Sequence, residues 1–420
     1  MPRLPLARAC LVLLLPLVAA CTGVRPLPAP PEEAFLAAEL PGFEDVRSFR
    51  GQSVAQRDRN LRLWIDQIRA RVAAEGKWPN DRRLDSLVLS GGGSDGPFGA
   101  GLLVGWTEAG TRPEFGVVTG ISAGALIAPF AFLGPDYDDE LTEFTVEGST
   151  DTLVTFQILA GLLDGVGLID NSKLRQKLRG LVTPEVVRAI ADEHDKGRRL
   201  LIGTTNIDAQ RPVYWRIDSI AKQGLDRPFE TADLITKIMI ASASIPGVFP
   251  PQFFTVEAGG ELYSEMHLDG GVTNQLFFLP VDRALARQLP ADIRQYAQRG
   301  TIYVIRNTKL LPEYDPVEPG LVQIAGRSIS TMIKFGGRGD ILVLEAAATE
   351  AGYPVLVTAV PDSFIMEEEE LFDPAYMQAL FETGRGMADD PETWTRIGAV
   401  EAAEAERAAQ AAAAPAARGG

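Results

Sequence analysis

The chain has 420 residues, 46% of them hydrophobic and 23% charged, and a formal charge of −16 at neutral pH. This is the make-up of a folded globular protein long enough for one large domain or two ordinary ones. The acidic balance excludes a nucleic-acid partner, which needs a basic face against phosphate, and broad electrostatic adhesion to anionic lipid.

The N-terminus reads as a targeting segment. Arg3 and Arg8 precede an apolar run over 11–20 that is too short to span a bilayer as a mature helix. The run ends in Val18-Ala19-Ala20-Cys21, which resembles the lipobox of bacterial lipoproteins. That resemblance implies removal of a signal peptide over 1–20, lipidation of Cys21, and a membrane-anchored protein of the bacterial cell envelope. Cys10 and Cys21 are the only cysteines and His194 and His267 the only histidines. A cysteine nucleophile, a cysteine-ligated zinc site and a histidine-rich metal site are therefore excluded, and no metal or cofactor is expected.

Pro26, Pro28, Pro30 and Pro31 mark residues 22–43 as an extended stretch, and 21–56 reads as lipidated cysteine plus tether. Leu61, Ile65, Ile68 and Val72 recur at helical spacing and predict an amphipathic helix over 57–75. A strand over 84–90, a glycine-rich loop over 91–99 and a helix over 102–109 follow. Next come a buried strand over 115–119, the pentapeptide Gly120-Ile121-Ser122-Ala123-Gly124, and a buried helix over 125–133. Residues 153–169 are apolar and punctuated by glycine, either core or a lid over an acyl channel. Helix is predicted at 172–181, strand at 200–206 and 213–217, helix at 234–243, and strand at 262–268 and 301–306. Two helices near 320–334 and 340–350, and a strand over 354–360, complete the pattern. The Ala/Glu-rich tail over 396–420 reads as frayed or unstructured, and Glu367 to Glu370 as a solvated face. Alternating strands and helices point to an α/β sheet covered on both faces within a domain over 57–395.

The chemistry centres on Ser122. A strand that turns sharply into a helix through two glycines exposes the intervening serine at the tip of the turn and aims the helix N-terminus at what it attacks. Serine then needs a base and donors for the oxyanion it creates. Ser90-Gly91-Gly92-Gly93-Ser94-Asp95-Gly96 follows a strand, and its glycines let backbone N–H groups approach a substrate. Gly91, Gly93 and Gly96 also satisfy G-x-G-x-x-G, so a nucleotide-binding loop is the competing reading, though a Walker lysine is absent. His194 lies in a charged helix end and reads as a solvated surface residue. His267 shares a strand face with Asp269, and Asp269-Gly270-Gly271 is either a turn or a strand-end base.

Taken together, these segments resemble the patatin-like phospholipases. The matching features are Gly91 to Gly96, Gly120 to Gly124 and Asp269-Gly270-Gly271, supported by Thr204 to Asp208 and Ala241 to Pro251. The resemblance implies a three-layer α/β/α fold with a central, mostly parallel sheet. It implies a serine lipid acyl hydrolase with Ser122 as nucleophile and Asp269 as base. Gly91, Gly92, Gly93 and Ser94 would form the oxyanion hole, and Gly96, Gly120, Gly124, Gly270 and Gly271 would be motif glycines. The implied partners are a lipid or ester substrate and, through Cys21, the membrane. Many members carry an arginine in the glycine loop where this chain has Ser94-Asp95. A catalytically silent lipid- or partner-binding lipoprotein on the same fold is the alternative.

Overall fold

The computed structural model describes residues 25–49, 54–74, 84–146, 155–156, 169–278, 290–291, 293–294, 300–368, 372–398, 402 and 404–405. The signal segment, Cys21 and most of 153–169 lie outside the described residues. Within that last stretch only β4 (Thr155–Phe156) and β5 (Ile169–Asp170) are described, paired antiparallel.

Five strands form the parallel centre of a mixed sheet: β2 (Ser86–Leu89), β3 (Val117–Ile121), β6 (Arg199–Asn206), β10 (Ile302–Arg306) and β11 (Val355–Ala359), in the order β6-β3-β2-β10-β11. Every residue of β2, β3 and β6 is buried, as strands of a sheet covered on both faces must be. Beyond β6 the pairing turns antiparallel through β7 (Arg211–Arg216) and β1 (Arg47–Ser48). A hairpin of β8 (Gln252–Ala258) and β9 (Glu261–Asp269) joins β6 on its other edge. The hairpin strand β8 alternates buried and exposed, the mark of one wet face.

Leu87 and Leu89 of β2 belong to one core cluster and the intervening Val88 to another, so the strand buries side chains on opposite faces of the sheet. On the Val88 side, Val304 and Val357 meet Ile341 and Leu344 of the long helix α10 (Leu321–Ala351). The larger cluster on the Leu87 side includes α3 (Pro97–Glu108), α4 (Ala123–Leu133), α7 (Pro184–Asp195), α9 (Pro228–Ser242) and α11 (Pro374–Met387). This is the expected α/β/α arrangement, with a parallel centre and antiparallel margins. The remaining described helices are α1 (Glu32–Phe35), α2 (Val54–Ala74), α5 (Asp138–Val146), α6 (Ser172–Leu181) and α8 (Ile217–Gln223).

Several local outcomes differ from the pattern-based expectation. The two helices expected near 320–334 and 340–350 are the single helix α10. Gly336, Gly337 and Gly339 lie between the two expected stretches, and each interior glycine weakens a helix by about 1 kcal/mol. Gly337 instead lies under the Arg306 guanidinium, where an added Cβ would stand 2.5 Å from Cζ. Helix α3 begins at Pro97, inside the expected loop, because proline at the first turn is pre-set for helix. The proline-rich stretch expected as a tether is packed from Arg25 onward. Arg25 pairs with Asp208 at 2.5 Å, and Ala38, Leu40, Phe43 and Val46 enter the core. In the tail, Glu404 pairs with Arg338 of α10 at 2.7 Å. Among the described residues no helix is long and apolar enough to cross a membrane, and no cluster of His, Cys, Asp and Glu is arranged to hold a metal.

Candidate active site

The two chemical residues meet because two strands share one edge of β6. Strand β3 pairs with β6 as far as Ile121 opposite Gly203, and β9 takes over the same edge with Asp269 opposite Thr204. The residue after β3 is Ser122 and the last residue of β9 is Asp269, so the strand ends face each other. The junction is tight enough to demand glycine. A Cβ on Gly270 would stand 2.5 Å from the Gly203 carbonyl oxygen.

Ser122 has φ 53° and ψ −125°, a conformation that strains a residue with a Cβ. The turn is held by close approach on both sides. A Cβ on Gly120 would lie 2.5 Å from the Gly124 oxygen, and one on Gly124 2.5 Å from the Leu89 oxygen. Helix α4 starts at the next residue, directing its N-terminal partial charge at the serine. The Ser122 N–H donates to Ser242 Oγ at 3.0 Å, and the Ser242 hydroxyl donates to the Gly203 carbonyl at 2.6 Å.

Ser122 Oγ donates to Asp269 Oδ2 at 2.7 Å. The other carboxylate oxygen accepts the Gly271 N–H at 2.7 Å, which fixes the carboxyl plane. Burial pushes the Asp269 carboxyl up to about 7, against the opposing pull of the Ser122 and Gly271 hydrogen bonds. A carboxylate with an affinity for protons near neutrality, in contact with a strained serine, is equipped to accept the serine proton.

The glycine loop passes directly over the serine. A Cβ on Gly91 would lie 3.1 Å from Ser122 Cβ, and one on Gly92 2.2 Å from the Asn307 carbonyl oxygen. The N–H groups of Gly92, Gly93 and Ser94 have no acceptor among the described residues. The Gly91 N–H differs from expectation. It donates to the Gln275 carbonyl at 3.2 Å, so Gly91 serves close approach rather than anion binding. Gly96 sits against Ala123, 2.9 Å from a built Cβ to the Ala123 Cβ. Beside the serine lies an apolar cavity of about 60 Å³ lined by Leu126, Phe144, Leu174, Ile245, Phe249 and Met377. Its lining can take hydrocarbon and offers no charge to a polar tail.

Residues 87–285 match the family model described as patatin-like phospholipase, and this stretch contains the turn, the loop and the aspartate. The chain carries a patatin-like phospholipase domain. Among solved structures, the chain is similar to the crystal structure of VipD from Legionella pneumophila, with 14% identity and a TM-score of 0.37. That match covers 73% of this chain and 66% of the other, so this chain spans a little under two thirds of its length. Comparison with curated protein sequences gives no match.

In the patatin-like domain both histidines are buried and engage partners other than Ser122. His267 does share a face with Asp269, as expected, but its Nδ1 lies 2.9 Å from Thr204 Oγ1 and its Nε2 3.2 Å from Glu265 Oε2. Burial lowers its proton affinity, and its ring packs against Trp215 and Phe254. His194 is not the solvated residue expected. It is 5% exposed, and its Nδ1 lies 2.6 Å from Asp218 Oδ2. The charged run around it concealed this, because helix α7 turns only Val186, Val187, Ile190, Ala191 and His194 inward. Glu367 and Glu368 are exposed, in accord with the solvated reading.

Sequence reasoning missed the residues that brace the site. Asn307 donates from Nδ2 to the Ser90 carbonyl at 2.9 Å and from its N–H to Ser90 Oγ at 3.0 Å, anchoring the base of the glycine loop. Asp340 of α10 accepts the Gln275 N–H at 2.6 Å, and Gln275 Nε2 donates to the Gly271 carbonyl at 2.8 Å. One residue, Gln275, thus ties the glycine loop to the Asp-Gly-Gly turn. Ser242 stood in a segment resembling the family, yet nothing in its spacing showed that it holds the Ser122 N–H.

Proposed function

We propose that the protein hydrolyses carboxylic esters of lipids through Ser122 and Asp269. The observation that carries this reading is the 2.7 Å hydrogen bond from Ser122 Oγ to Asp269 Oδ2, formed at a strained turn beneath three unengaged backbone N–H groups. The apolar cavity beside the serine is the natural seat of the acyl chain.

Asp269, ionised, takes the Ser122 proton as Oγ attacks the ester carbonyl carbon. The carbonyl π electrons move onto oxygen, and the N–H groups of Gly92, Gly93 and Ser94 hold that oxyanion. Collapse of the tetrahedral intermediate breaks the bond to the alcohol, which leaves with the proton from Asp269. Acyl-Ser122 remains. Asp269 then takes a proton from water, hydroxide adds to the acyl carbon, and the second collapse frees the fatty acid and returns the proton to Ser122. No step draws on His194 or His267.

Labelling with a fluorophosphonate, followed by peptide mass analysis, tests this directly. The label is expected on Ser122 alone and is lost in Ser122→Ala, which should also lower ester turnover by at least about 10³-fold. Substantial turnover by pure, folded Ser122→Ala protein would overturn the assignment.

We propose separately that the protein belongs to the bacterial envelope, anchored by lipid on Cys21. Support comes from the lipobox-like sequence and from Arg25, just beyond Cys21, which is fastened to the domain through Asp208. The lipid would then sit close to the globular part. Cys21→Ser should move the protein from the membrane fraction to the soluble one; an unchanged distribution would remove the anchor.

A further inference from the structure

A second cavity, of about 170 Å³, lies on the other side of the glycine loop from the serine. The loop itself is the partition. Gly93 and Gly96 line the apolar cavity, and Asp95 lines the second. The two spaces differ in chemistry, for the second is walled by Arg306, Lys309 and Lys334 with the hydroxyls of Thr308 and Ser330.

Arg306 is the residue that calls for an explanation. It is the last residue of β10, at the carboxyl end of a parallel strand, where open α/β sheets bind ligands. Its side chain is 1% exposed, and Nη2 donates only to the Ile333 carbonyl at 3.2 Å. Nη1 has no hydrogen-bond partner among the described residues. A buried guanidinium with an unused donor is costly, and burial pushes it down to about 10. Helix α10 makes room for it at Gly337, where any Cβ would collide with the guanidinium. The nearest acid in the cavity, Asp95, is engaged by Tyr376, whose hydroxyl donates to Oδ1 at 2.6 Å. Glu313 is shared between Lys309, at 2.9 Å, and Lys334. Asp340 of α10, outside the lining, also acts on Arg306 as a counter-charge, yet it forms no hydrogen bond to the guanidinium and leaves Nη1 without a partner among the described residues.

We propose that this cavity binds a phosphate group. Nη1 of Arg306 supplies the fixed donor and the two ammonium groups add charge; the Ser330 hydroxyl, and that of Thr308 on turning from its long 3.5 Å bond to the Lys309 carbonyl, complete a donor set suited to a tetrahedral oxyanion. The volume is ample, since one water needs only about 10–15 Å³ measured in this way. The phosphate comes either from a phospholipid headgroup or from free inorganic phosphate. The site itself stands apart from the hydrolase reading, and only the headgroup source rests on that reading.

The test uses the Ser122→Ala protein, so that binding is read without turnover. Calorimetric titration with inorganic phosphate is expected to show saturable, one-to-one binding. Arg306→Met should weaken it by at least about tenfold, and the near-isosteric Thr308→Val by roughly threefold to tenfold. A second titration uses dihexanoylphosphatidylcholine below its micellar concentration. If phosphate displaces this lipid, the site holds the headgroup; if both bind together, it holds free phosphate. Absence of saturable phosphate binding up to millimolar concentration overturns the proposal. So does binding that is unchanged in folded Arg306→Met and Thr308→Val proteins. Failure of the hydrolase reading would show separately, as loss of fluorophosphonate labelling in the wild-type protein.

Discussion

The Ser242 hydroxyl accepts the backbone N–H of Ser122 at 3.0 Å while donating to the Gly203 carbonyl at 2.6 Å. One buried side chain thus links the strained serine turn to β6, the strand against which both β3 and β9 are registered. It also engages the Ser122 N–H, so that in the proposed reaction the oxyanion falls to the glycine loop. Ser242→Ala leaves a buried donor and a buried acceptor unmatched, at about 1–3 kcal/mol each. The expected result is a loss of about 2–4 kcal/mol in urea unfolding and roughly tenfold in kcat. A variant that matches wild type in both measurements would show that the turn holds itself.

The proton affinity of Asp269 gives the reaction a pH profile. Its carboxyl ionises at about 7 in the folded protein, against an ordinary value of 3.8. In the proposed reaction the ionised form is the base, so kcat/KM should rise with pH and reach half its plateau near 7. Stability runs the other way. Between those two values the folded state keeps a proton that the unfolded chain has released, so stability falls as pH rises through this window and levels off above about 7. Asp95, raised by burial to about 6, adds a slope of the same sign over the lower part of the window. Asp269→Asn should abolish turnover yet raise stability at pH 8 by about 1–4 kcal/mol and flatten the slope. Chemical denaturation of both proteins from pH 5 to 8 reads this, and an unfolding curve for the variant that is weaker at pH 8 would contradict it.

The serine turn, the glycine loop and the Asp-Gly-Gly turn were legible because each couples a backbone demand to specific residue types over a few positions. The central strands were legible for a related reason: full burial leaves a short stretch without charges, rich in β-branched residues, as in Val117 to Ile121. Long-range relations were not legible. Nothing local in Glu193-His194-Asp195 shows that His194 meets Asp218, which lies on α8 across β6 and β7. Nothing in Phe335-Gly336-Gly337 separates a helix break from a groove that receives Arg306. Helices α5 and α11 escaped notice because α5 has few apolar positions and α11 carries Gly384 and Gly386 in its last turns. They pack against elements far away in sequence, where tertiary contact rather than local propensity decides.

His267 offers a direct discrimination between a Ser–Asp pair and a histidine base. Its ring bridges Thr204 and Glu265, and Glu265 is also paired with Arg47 at 2.6 Å. Removing the ring opens a cavity beside Trp215 and Phe254 and weakens the support of a buried ion pair. His267→Ala is expected to lose about 3 kcal/mol of stability. In the folded fraction, counted by fluorophosphonate titration, kcat should stay within about tenfold of wild type with its pH midpoint still near 7. A vanished or displaced midpoint would make His267 part of the proton path.

Helix α11 places Tyr376 against Asp95 and Met377 in the apolar cavity, so its docking onto α3 shapes both sides of the glycine loop. That docking depends on backbone-to-backbone approach. A Cβ on Gly101 would stand 1.9 Å from the Phe381 oxygen, one on Gly105 2.4 Å from the Arg385 oxygen, and one on Gly384 2.1 Å from the Phe98 oxygen. Three glycines on two helices therefore bring the axes closer than any side chain permits. Ordinarily, alanine stabilises a helix interior by about 1 kcal/mol relative to glycine. Here the sign should invert, because the methyl group has nowhere to go and α11 must move away. Gly101→Ala is expected to lose about 2–4 kcal/mol by thermal or urea unfolding. Gly386→Ala on the same helix, where a Cβ meets nothing, should be neutral or slightly stabilising. Equal effects from the two substitutions would mean that the close approach of α3 and α11 does not govern the packing beneath the site.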